Sequence, residues 1–453
     1  MHEMSDQGEA AKPERGELFG PHRRNTTIGV LLLISMVAFE SMGVGTAMPV
    51  LVAELGSVSM YAWPFVAFMA AAVFATVLGG RWCDRAGPRN PLLLAPMLFT
   101  AGLVVAATAS GMPQLLVGRV LQGLGAGCVT VAIYVLVGLI YPEQVRPAMF
   151  GLMSSAWVLP SLIGPPISGL VTERFSWRWV FLGLVPVALL ALALVTRAVR
   201  GLVVPQREST RRGVVVAALG AAAGVAALTY ASENPSVTSA VIAVVALAML
   251  VPAMRWLLPA GVFLARRGIP TVVACRGLCA ALFFTANSYL PLIMTSTHHW
   301  SLAAAGLPLV VGSLGWSAAA AWQGRHPTLH RPTLLRIGFC LLTGGVLALQ
   351  LVASTWGVPW LVLPVWAFAG FGMGLVFPSV AFLLLRQSGA GELGYHTSAA
   401  QMSDQLGSAT MVGLGGALLA LLHSPAHAMP VLLAVLALLG AIGILIAGRS
   451  LNP

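Results

Sequence analysis

The sequence predicts an all-α integral membrane protein with fourteen transmembrane helices, and three observations support this fold class. Of the 453 residues, 58% are hydrophobic and only 9% are charged, whereas a soluble domain carries about 25% charged residues. The apolar residues fall in uncharged runs of about 17 to 28, long enough to cross the hydrocarbon core of a bilayer. The basic residues lie at alternate ends of these runs. A soluble enzyme is therefore excluded as a class.

Fourteen apolar runs bounded by charge, proline or glycine are expected to span the membrane. They lie near 26–50, 61–80, 91–109, 113–141, 147–171, 177–196, 214–231, 237–254, 270–294, 303–322, 333–354, 358–385, 397–422 and 428–448. The seventh and eighth are short, and omitting both would leave twelve spans without changing any other orientation. We favour a spanning hairpin over an interfacial one, because Glu233-Asn234-Pro235 is typical of a turn and arginines flank the pair.

The distribution of basic residues predicts the orientation. With the N-terminus inside, twenty-one of the twenty-five basic residues lie in or beside cytosolic segments, as the positive-inside rule requires. Two (Arg174, Arg178) lie outside, and Arg119 and Arg276 lie within spans. Both termini are therefore expected to be cytosolic, and residues 1–25 show no cleavable signal pattern. This bias accounts for the net charge of +11, so no nucleic-acid partner is predicted.

Two halves of the chain resemble each other. Gly123–Gly127 in the fourth span recurs as Gly370–Gly374 in the twelfth, and Ala47–Pro49 recurs as Tyr289–Pro291, at offsets of 247 and 242 residues. Matches in the same order at nearly the same offset indicate two copies of a six-helix unit. The predicted organisation is a cytosolic tail (1–25), a first six-helix bundle (26–199), a linker with the hairpin (200–256), and a second bundle with a short cytosolic tail (257–453).

Five motifs follow one another along the first half. The first is Glu40, nine residues before Pro49, and the second is the loop that contains Gly80, Asp84, Arg85, Gly87 and Arg89. The third is Arg119-x-x-Gln122-Gly123, and the fourth is Gly164-Pro165-Pro166 within 151–169, where Pro160 and Ser168 stand in place of glycines. The fifth is Trp177–Phe181. Together they resemble the major facilitator superfamily, and in particular its fourteen-helix drug:proton antiporter branch. The resemblance implies two six-helix bundles, alternating access and proton-coupled export.

Glu40 and Arg119 are expected to meet inside the membrane. Helix rise places both about 10 Å from the outer surface, and an ionisable group at such depth normally needs a partner or an aqueous cavity. Burial favours the neutral form of a carboxyl and a guanidinium favours the charged form, so Glu40 is predicted to carry the proton and Arg119 to bias its titration. A permanent structural ion pair and direct recognition of a cationic substrate by Glu40 are the alternatives.

The second half has lost this pair. At the repeat offsets Glu40 corresponds to Leu282 and Arg119 to Trp366. Proton coupling is therefore expected in the first half, and the second half is expected to supply mainly apolar and aromatic contacts.

Arg276 and Asp404 form a second possible pair, about 9 and 11 Å from the inner ends of their spans. We expect them to pair and to close the cytosolic end of the second half. Two alternatives stay open: Asp404 is a second proton site, or Arg276 reaches the interface by itself.

The resemblance implies a conformational latch made by the loop after the second span. Asp84 would approach the positive end of the thirteenth helix near His396 and Thr397, and the latch residues are Gly80, Asp84, Arg85, Gly87 and Arg89. An ordinary loop cap is the alternative for Asp84.

The fifth span contains three prolines that are candidates for a gate or hinge. Successive prolines remove helical amide donors and bend a helix, so Pro160, Gly164, Pro165 and Pro166 are predicted to form a gate or hinge.

Aromatic and thioether side chains on the first, fourth, ninth and twelfth spans are candidates for a substrate cavity. Such walls repack around varied apolar compounds, although helix packing explains each residue equally well. The candidates are Met36, Phe39, Tyr134, Phe283, Asn287, Phe371, Met373 and Phe377.

The predicted function is proton-coupled efflux of amphipathic or hydrophobic, often cationic, compounds by a monomer in the cell (inner) membrane, in contact with membrane lipids. The chain has no phosphate-binding loop and no nucleophile with a base or metal cluster, so no enzyme activity, no metal and no cofactor beyond the proton gradient are expected. Export of an endogenous lipid or secondary metabolite is the alternative, and a non-transporting receptor is a remote one.

Overall fold

The computed structural model describes residues 18–21, 23–56, 58–142, 145–199, 213–233, 236–326, 328–389 and 392–451. Within these ranges fourteen helices are long and apolar enough to cross a membrane, and no strand occurs. The prediction of an all-α membrane protein with fourteen spans is therefore confirmed. Most of the predicted N-terminal tail (1–17), the linker 200–212 and the turn residues Asn234 and Pro235 lie outside the described residues.

We number the spans α1 to α14. Their helical bounds are α1 Arg24–Leu55, α2 Trp63–Ala86, α3 Arg89–Ala107, α4 Met112–Ile140, α5 Arg146–Ser155 and Val158–Arg174, α6 Arg178–Leu182 and Val185–Ala198, α7 Val214–Glu233, α8 Val237–Leu257, α9 Ile269–Ser296, α10 Leu302–Ala305 and Leu307–Arg325, α11 Arg331–Ala348 and Gln350–Ala353, α12 Val362–Gln387, α13 Leu393–Leu422 and α14 Pro425–Ile446. Several helices extend beyond the predicted runs, because a helix continues past the apolar residues that cross the hydrocarbon.

Helix interruptions in α5, α6 and α10 each precede a proline. α5 breaks at Ala156 and Trp157, and Pro160 follows, whose ring clashes with the carbonyl four residues earlier, that of Ala156. α6 is interrupted at Gly183 and Leu184, shortly before Pro186. The helix is unbroken through Pro165 and Pro166, so the interruption in α5 is separate from the bend that the sequence predicts at those prolines.

The repeated glycines allow close helix packing in both halves. A Cβ atom on Gly123 or Gly127 would overlap the backbone of α2, and a Cβ atom on Gly370 or Gly374 would overlap the backbone of α10. α4 therefore packs on α2 in the first half as α12 packs on α10 in the second. The internal sequence repeat thus corresponds to the same close helix–helix contact in each half.

The two halves meet most extensively along two pairs of helices. α2 contacts α13, and α5 contacts α10. The hairpin α7–α8 joins this interface through α7, which packs against both α2 and α13. Thr229 of α7 lies directly beside Gly413 of α13. The hairpin therefore covers one of the seams between the halves.

Candidate transport site

We call the side on which α1 begins the arginine-rich face and the other side the opposite face. On the opposite face the halves are in direct contact. The Tyr61 hydroxyl donates a hydrogen bond of 2.8 Å to the Ser288 carbonyl, and the Tyr61 and Tyr289 ring centroids are 5.3 Å apart. Ala303 N donates to Glu173 Oε1 at 3.1 Å. These contacts close the opposite face between α2 and α9 and between α5 and α10.

A small cavity lies between the halves beneath this closed face. It is bounded by α1, α2 and α4 of the first half and by α9 of the second. Its walls combine one acid, one base, three phenylalanines and small polar groups: Glu40, Ser41, Val44, Gly45, Phe65, Phe68, Met69, Arg119, Phe284, Asn287 and Ser288. A mainly apolar pocket with few convergent polar groups is the usual form of a small-molecule site.

Glu40 and Arg119 form an ion pair at the wall of this cavity. Both side chains are almost fully buried. Arg119 is held by two further acceptors, the Pro64 carbonyl at 2.9 Å and Gln122 Oε1 at 2.5 Å, and its guanidinium lies 4.7 Å from the Phe68 ring centroid.

The ion pair leaves one carboxylate oxygen unused. Among the described residues, Glu40 Oε2 has no hydrogen-bond partner, whereas Oε1 accepts from Arg119. A carboxylate with one fixed and one unused oxygen can take up a proton or bind a cation without first leaving its arginine.

Arg276 and Asp404 form a second ion pair, within the second half. Arg276 Nε and a terminal guanidinium nitrogen both donate to Asp404 Oδ2 at 3.1 Å. The guanidinium lies 3.7 Å from the Phe377 ring centroid. Both charged side chains are partly exposed, at 22% and 14%. Tyr134 of α4 is 45% exposed and packs on Phe150 of α5, with ring centroids 5.6 Å apart.

Only part of the candidate substrate set lines the cavity. Asn287 does. Phe377 contacts the cavity residue Phe284, whereas Tyr134 packs on Phe150. Met36, Phe283 and Met373 are 0–1% exposed and do not line the cavity. Phe39 lies against Gly43 and Gly164, and Phe371 packs on α10.

The cavity aromatics that the sequence interpretation missed are Phe65, Phe68 and Phe284. Phe284 was detectable, because it shares a helix face with Asn287 three residues later. Phe283 is rotated away from that face and stacks on Trp366 at 5.1 Å.

The latch residues lie at the end of α2 on the arginine-rich face. Asp84, Arg85 and Arg89 are exposed. Gly87 ends α2 with φ +74°, a left-handed conformation that favours glycine, which explains the motif's glycine. His396 of α13 interacts through Nδ1 with Ser388 Oγ at 2.9 Å.

The gate residues of α5 face other helices. Pro165 lies beside Gly306 of α10, and Gly164 lies beside Phe39 of α1. Pro160 is buried. The proline segment therefore lies where the two halves touch on the opposite face.

The described part of the chain contains no group of three or more histidine, cysteine or acidic side chains placed to hold a metal ion. Two half-bundles that enclose a central cavity lined by aromatic, apolar and a few polar groups are typical of a membrane transporter fold. The sequence profile of the Major Facilitator Superfamily matches residues 30–410. The chain belongs to this superfamily.

Comparisons with individual proteins agree with this family. An uncharacterised MFS-type transporter of Mycobacterium tuberculosis is 27% identical over 427 residues, which cover 89% of this chain and 60% of the relative. The chain thus spans about 60% of the length of that relative. The multidrug transporter protein MdtP of Bacillus subtilis is 24% identical over 86% of this chain and 74% of its own length.

Solved structures show the same fold. A peptide transporter of the POT family, crystallised with alafosfalin, superposes with a TM-score of 0.70 at 16% identity and covers 94% of this chain and 96% of its own. The family and its structural neighbours are transporters, not enzymes, as the sequence predicted.

Proposed function

We propose that the protein is a proton-coupled antiporter that exports amphipathic or hydrophobic, often cationic, compounds by alternating access. The observation that carries the proposal is Glu40: a buried carboxylate in the wall of the central cavity, bonded through Oε1 to Arg119 and without a described partner on Oε2. Proton and cationic substrate would compete for this carboxylate, and such exchange is antiport. A relative named as a multidrug transporter supports the substrate class.

The proposal assigns the arginine-rich face to the cytosol, according to the positive-inside rule, and places the chain as a monomer in the cell membrane. With this orientation the described state is closed toward the outside by the Tyr61 and Glu173 contacts. Compounds would enter from the cytosol and reach Glu40. Asp404 is then either a second proton site or only the partner of Arg276.

The test uses inverted vesicles that carry the protein, a fluorescent cationic dye and an imposed proton gradient. We expect gradient-driven dye uptake by the native protein and loss of uptake in Glu40→Gln. Glu54→Gln is the matched control, because Glu54 lies on the same helix but at its surface end, 46% exposed and paired with Arg178. It should retain uptake.

Proton exchange is measured separately with purified protein in unbuffered detergent solution. Addition of dye should release protons from the native protein and from Glu54→Gln, but not from Glu40→Gln. Unchanged uptake and proton release in Glu40→Gln would contradict the proposal. Uptake lost in Asp404→Asn as well would assign a second proton site to Asp404.

A further inference from the structure

Three aromatic side chains of the second half form a cage beside the Arg276–Asp404 pair. We use "aromatic cage" for Phe284 of α9, Trp316 of α10 and Phe377 of α12. Their rings meet edge to face: the centroids are 6.3 Å apart for Phe284 and Trp316, 6.4 Å for Phe284 and Phe377, and 5.3 Å for Trp316 and Phe377. All three rings are partly exposed.

One ring of the cage, Phe377, already lies against a cation, the chain's own Arg276 guanidinium. Arg276 lies 3.7 Å from the Phe377 ring centroid, well inside the range of about 6 Å at which a ring face attracts a cation. Asp404 supplies the negative charge through two hydrogen bonds of 3.1 Å. A ring face and a carboxylate that contact the same cation are the elements that recognise organic cations.

Arg276 is held less firmly than Arg119. Arg119 is 3% exposed and is bound by a carboxylate, an amide oxygen and a backbone carbonyl. Arg276 is 22% exposed on its side chain, and within the described ranges its hydrogen bonds reach Asp404 alone. A free cation can therefore replace it without leaving several acceptors unpaired.

The aromatic cage is also continuous with the deep cavity. Phe284 belongs to the cage and lines the cavity that contains Glu40. A cation bound beside Phe377 would thus move along one ring to reach Glu40.

We propose that the aromatic cage and Asp404 form a binding subsite for organic cations, which Arg276 occupies as a tethered competitor until substrate displaces it. The inference rests on the proposed function, because it supplies the route by which a cationic compound reaches Glu40. It gives Arg276 a role beyond pairing: the arginine keeps Asp404 neutralised when no substrate is bound.

The test is equilibrium binding of tetraphenylphosphonium to purified protein, without any proton gradient. Arg276→Gln should bind this cation about tenfold more tightly than the native protein, since the competitor is gone. Arg331→Gln is the matched control, because Arg331 also lies over an aromatic ring, Phe382 at 4.5 Å, but outside the cage. It should leave the affinity unchanged. Neutral triphenylphosphine oxide should bind Arg276→Gln and the native protein equally.

Two further variants keep the test decisive if Arg276→Gln does not fold. Phe377→Leu removes a ring face and leaves the ion pair, and it should weaken tetraphenylphosphonium binding about fivefold with no effect on the neutral compound. Asp404→Asn should weaken cation binding at least as much. Equal affinity in native and Phe377→Leu protein, or no gain in folded Arg276→Gln, would overturn the subsite.

The outcome is separable from that of the antiport test. Unchanged binding together with gradient-driven dye uptake by the native protein would refute the subsite and leave the proposed function in place. The predicted binding changes without proton release by native protein would establish the subsite and refute proton antiport.

Discussion

Glu173 at the end of α5 accepts a hydrogen bond of 3.1 Å from the backbone nitrogen of Ala303 at the start of α10. The contact joins the two halves on the opposite face. A carboxylate at a helix N-terminus is favoured by the helix dipole and by the unpaired amides there. The family resemblance gives Asp84 the equivalent relation to α13 on the arginine-rich face. The Glu173 contact would then close the opposite face in one state of the transporter, and the Asp84 contact would close the arginine-rich face in the alternate state.

Removing the Glu173 contact should open the opposite face more often. The measurement is the labelling rate of a cysteine at Ser288, in protein without its native cysteines, by an impermeant maleimide applied to the opposite face. Loss of about 1 kcal/mol at a helix terminus predicts up to about fivefold faster labelling in Glu173→Ala. Asp84→Ala should slow it.

The control for this prediction is Glu54→Ala. Glu54 lies on the same face but binds Trp177 and Arg178 of its own half, at 2.8 and 2.7 Å. Its loss should leave the labelling rate unchanged. Identical rates for Glu173→Ala and native protein would show that the Glu173–Ala303 contact does not hold the opposite face closed.

The Glu40–Arg119 pair predicts a characteristic stability pattern. Removing one member of a buried ion pair leaves an uncompensated charge and costs about 3–5 kcal/mol. Arg119→Gln should therefore lower the thermal unfolding midpoint strongly, and the double variant Glu40→Gln/Arg119→Gln should recover part of the loss. Four of the five cysteines are buried, so a thiol-reactive dye reports unfolding. A double variant no more stable than Arg119→Gln would argue against charge pairing as the cause.

The glycines of α4 give a prediction with an internal control. A Cβ atom on Gly123 would overlap the Phe68 carbonyl, whereas Gly138 on the same helix has no atom within 4 Å of that position. Gly123→Ala should separate α4 from α2 and destabilise the protein by about 1–3 kcal/mol. Gly138→Ala should be neutral or slightly stabilising. Equal thermal midpoints for the two variants would refute close packing at Gly123.

The positions of the spans were predictable from the sequence because hydropathy and length alone determine which segments cross a bilayer. The interruptions in α5 and α10 were not predicted at their observed places. The sequence interpretation assigned a bend of α5 to Gly164-Pro165-Pro166, where the helix is unbroken, and it did not predict the separate interruption at Ala156 and Trp157. Neighbouring helices decide whether a proline bends a helix or is accommodated in it.

The depth of each residue in the membrane predicted which charged residues meet. The rotation of each helix about its own axis determines which aromatic side chains line the cavity. Glu40 and Arg119 were placed at one level by helix rise, and they form an ion pair. In the second half Trp366, which corresponds to Arg119, donates to Asn287 Oδ1 of α9 at 3.2 Å. A polar side-chain contact therefore joins α1 to α4 in the first half and the equivalent helices α9 and α12 in the second, although the residues differ. Helix rotation depends on packing, so the sequence pattern selected Phe283 where Phe284 lines the cavity.

Pro160 allows a test of whether the break in α5 serves transport. Pro160→Ala restores the amide hydrogen and removes the clash with the Ala156 carbonyl, so α5 should become continuous across Ala156 and Trp157. We expect a higher thermal midpoint and a several-fold lower rate of gradient-driven dye uptake, because a stiffer α5 moves less readily against α10. Pro96→Ala is the control, since Pro96 lies inside an unbroken α3, and it should leave uptake unchanged. Native uptake rates in a stabilised Pro160→Ala protein would show that the break has a purely structural origin.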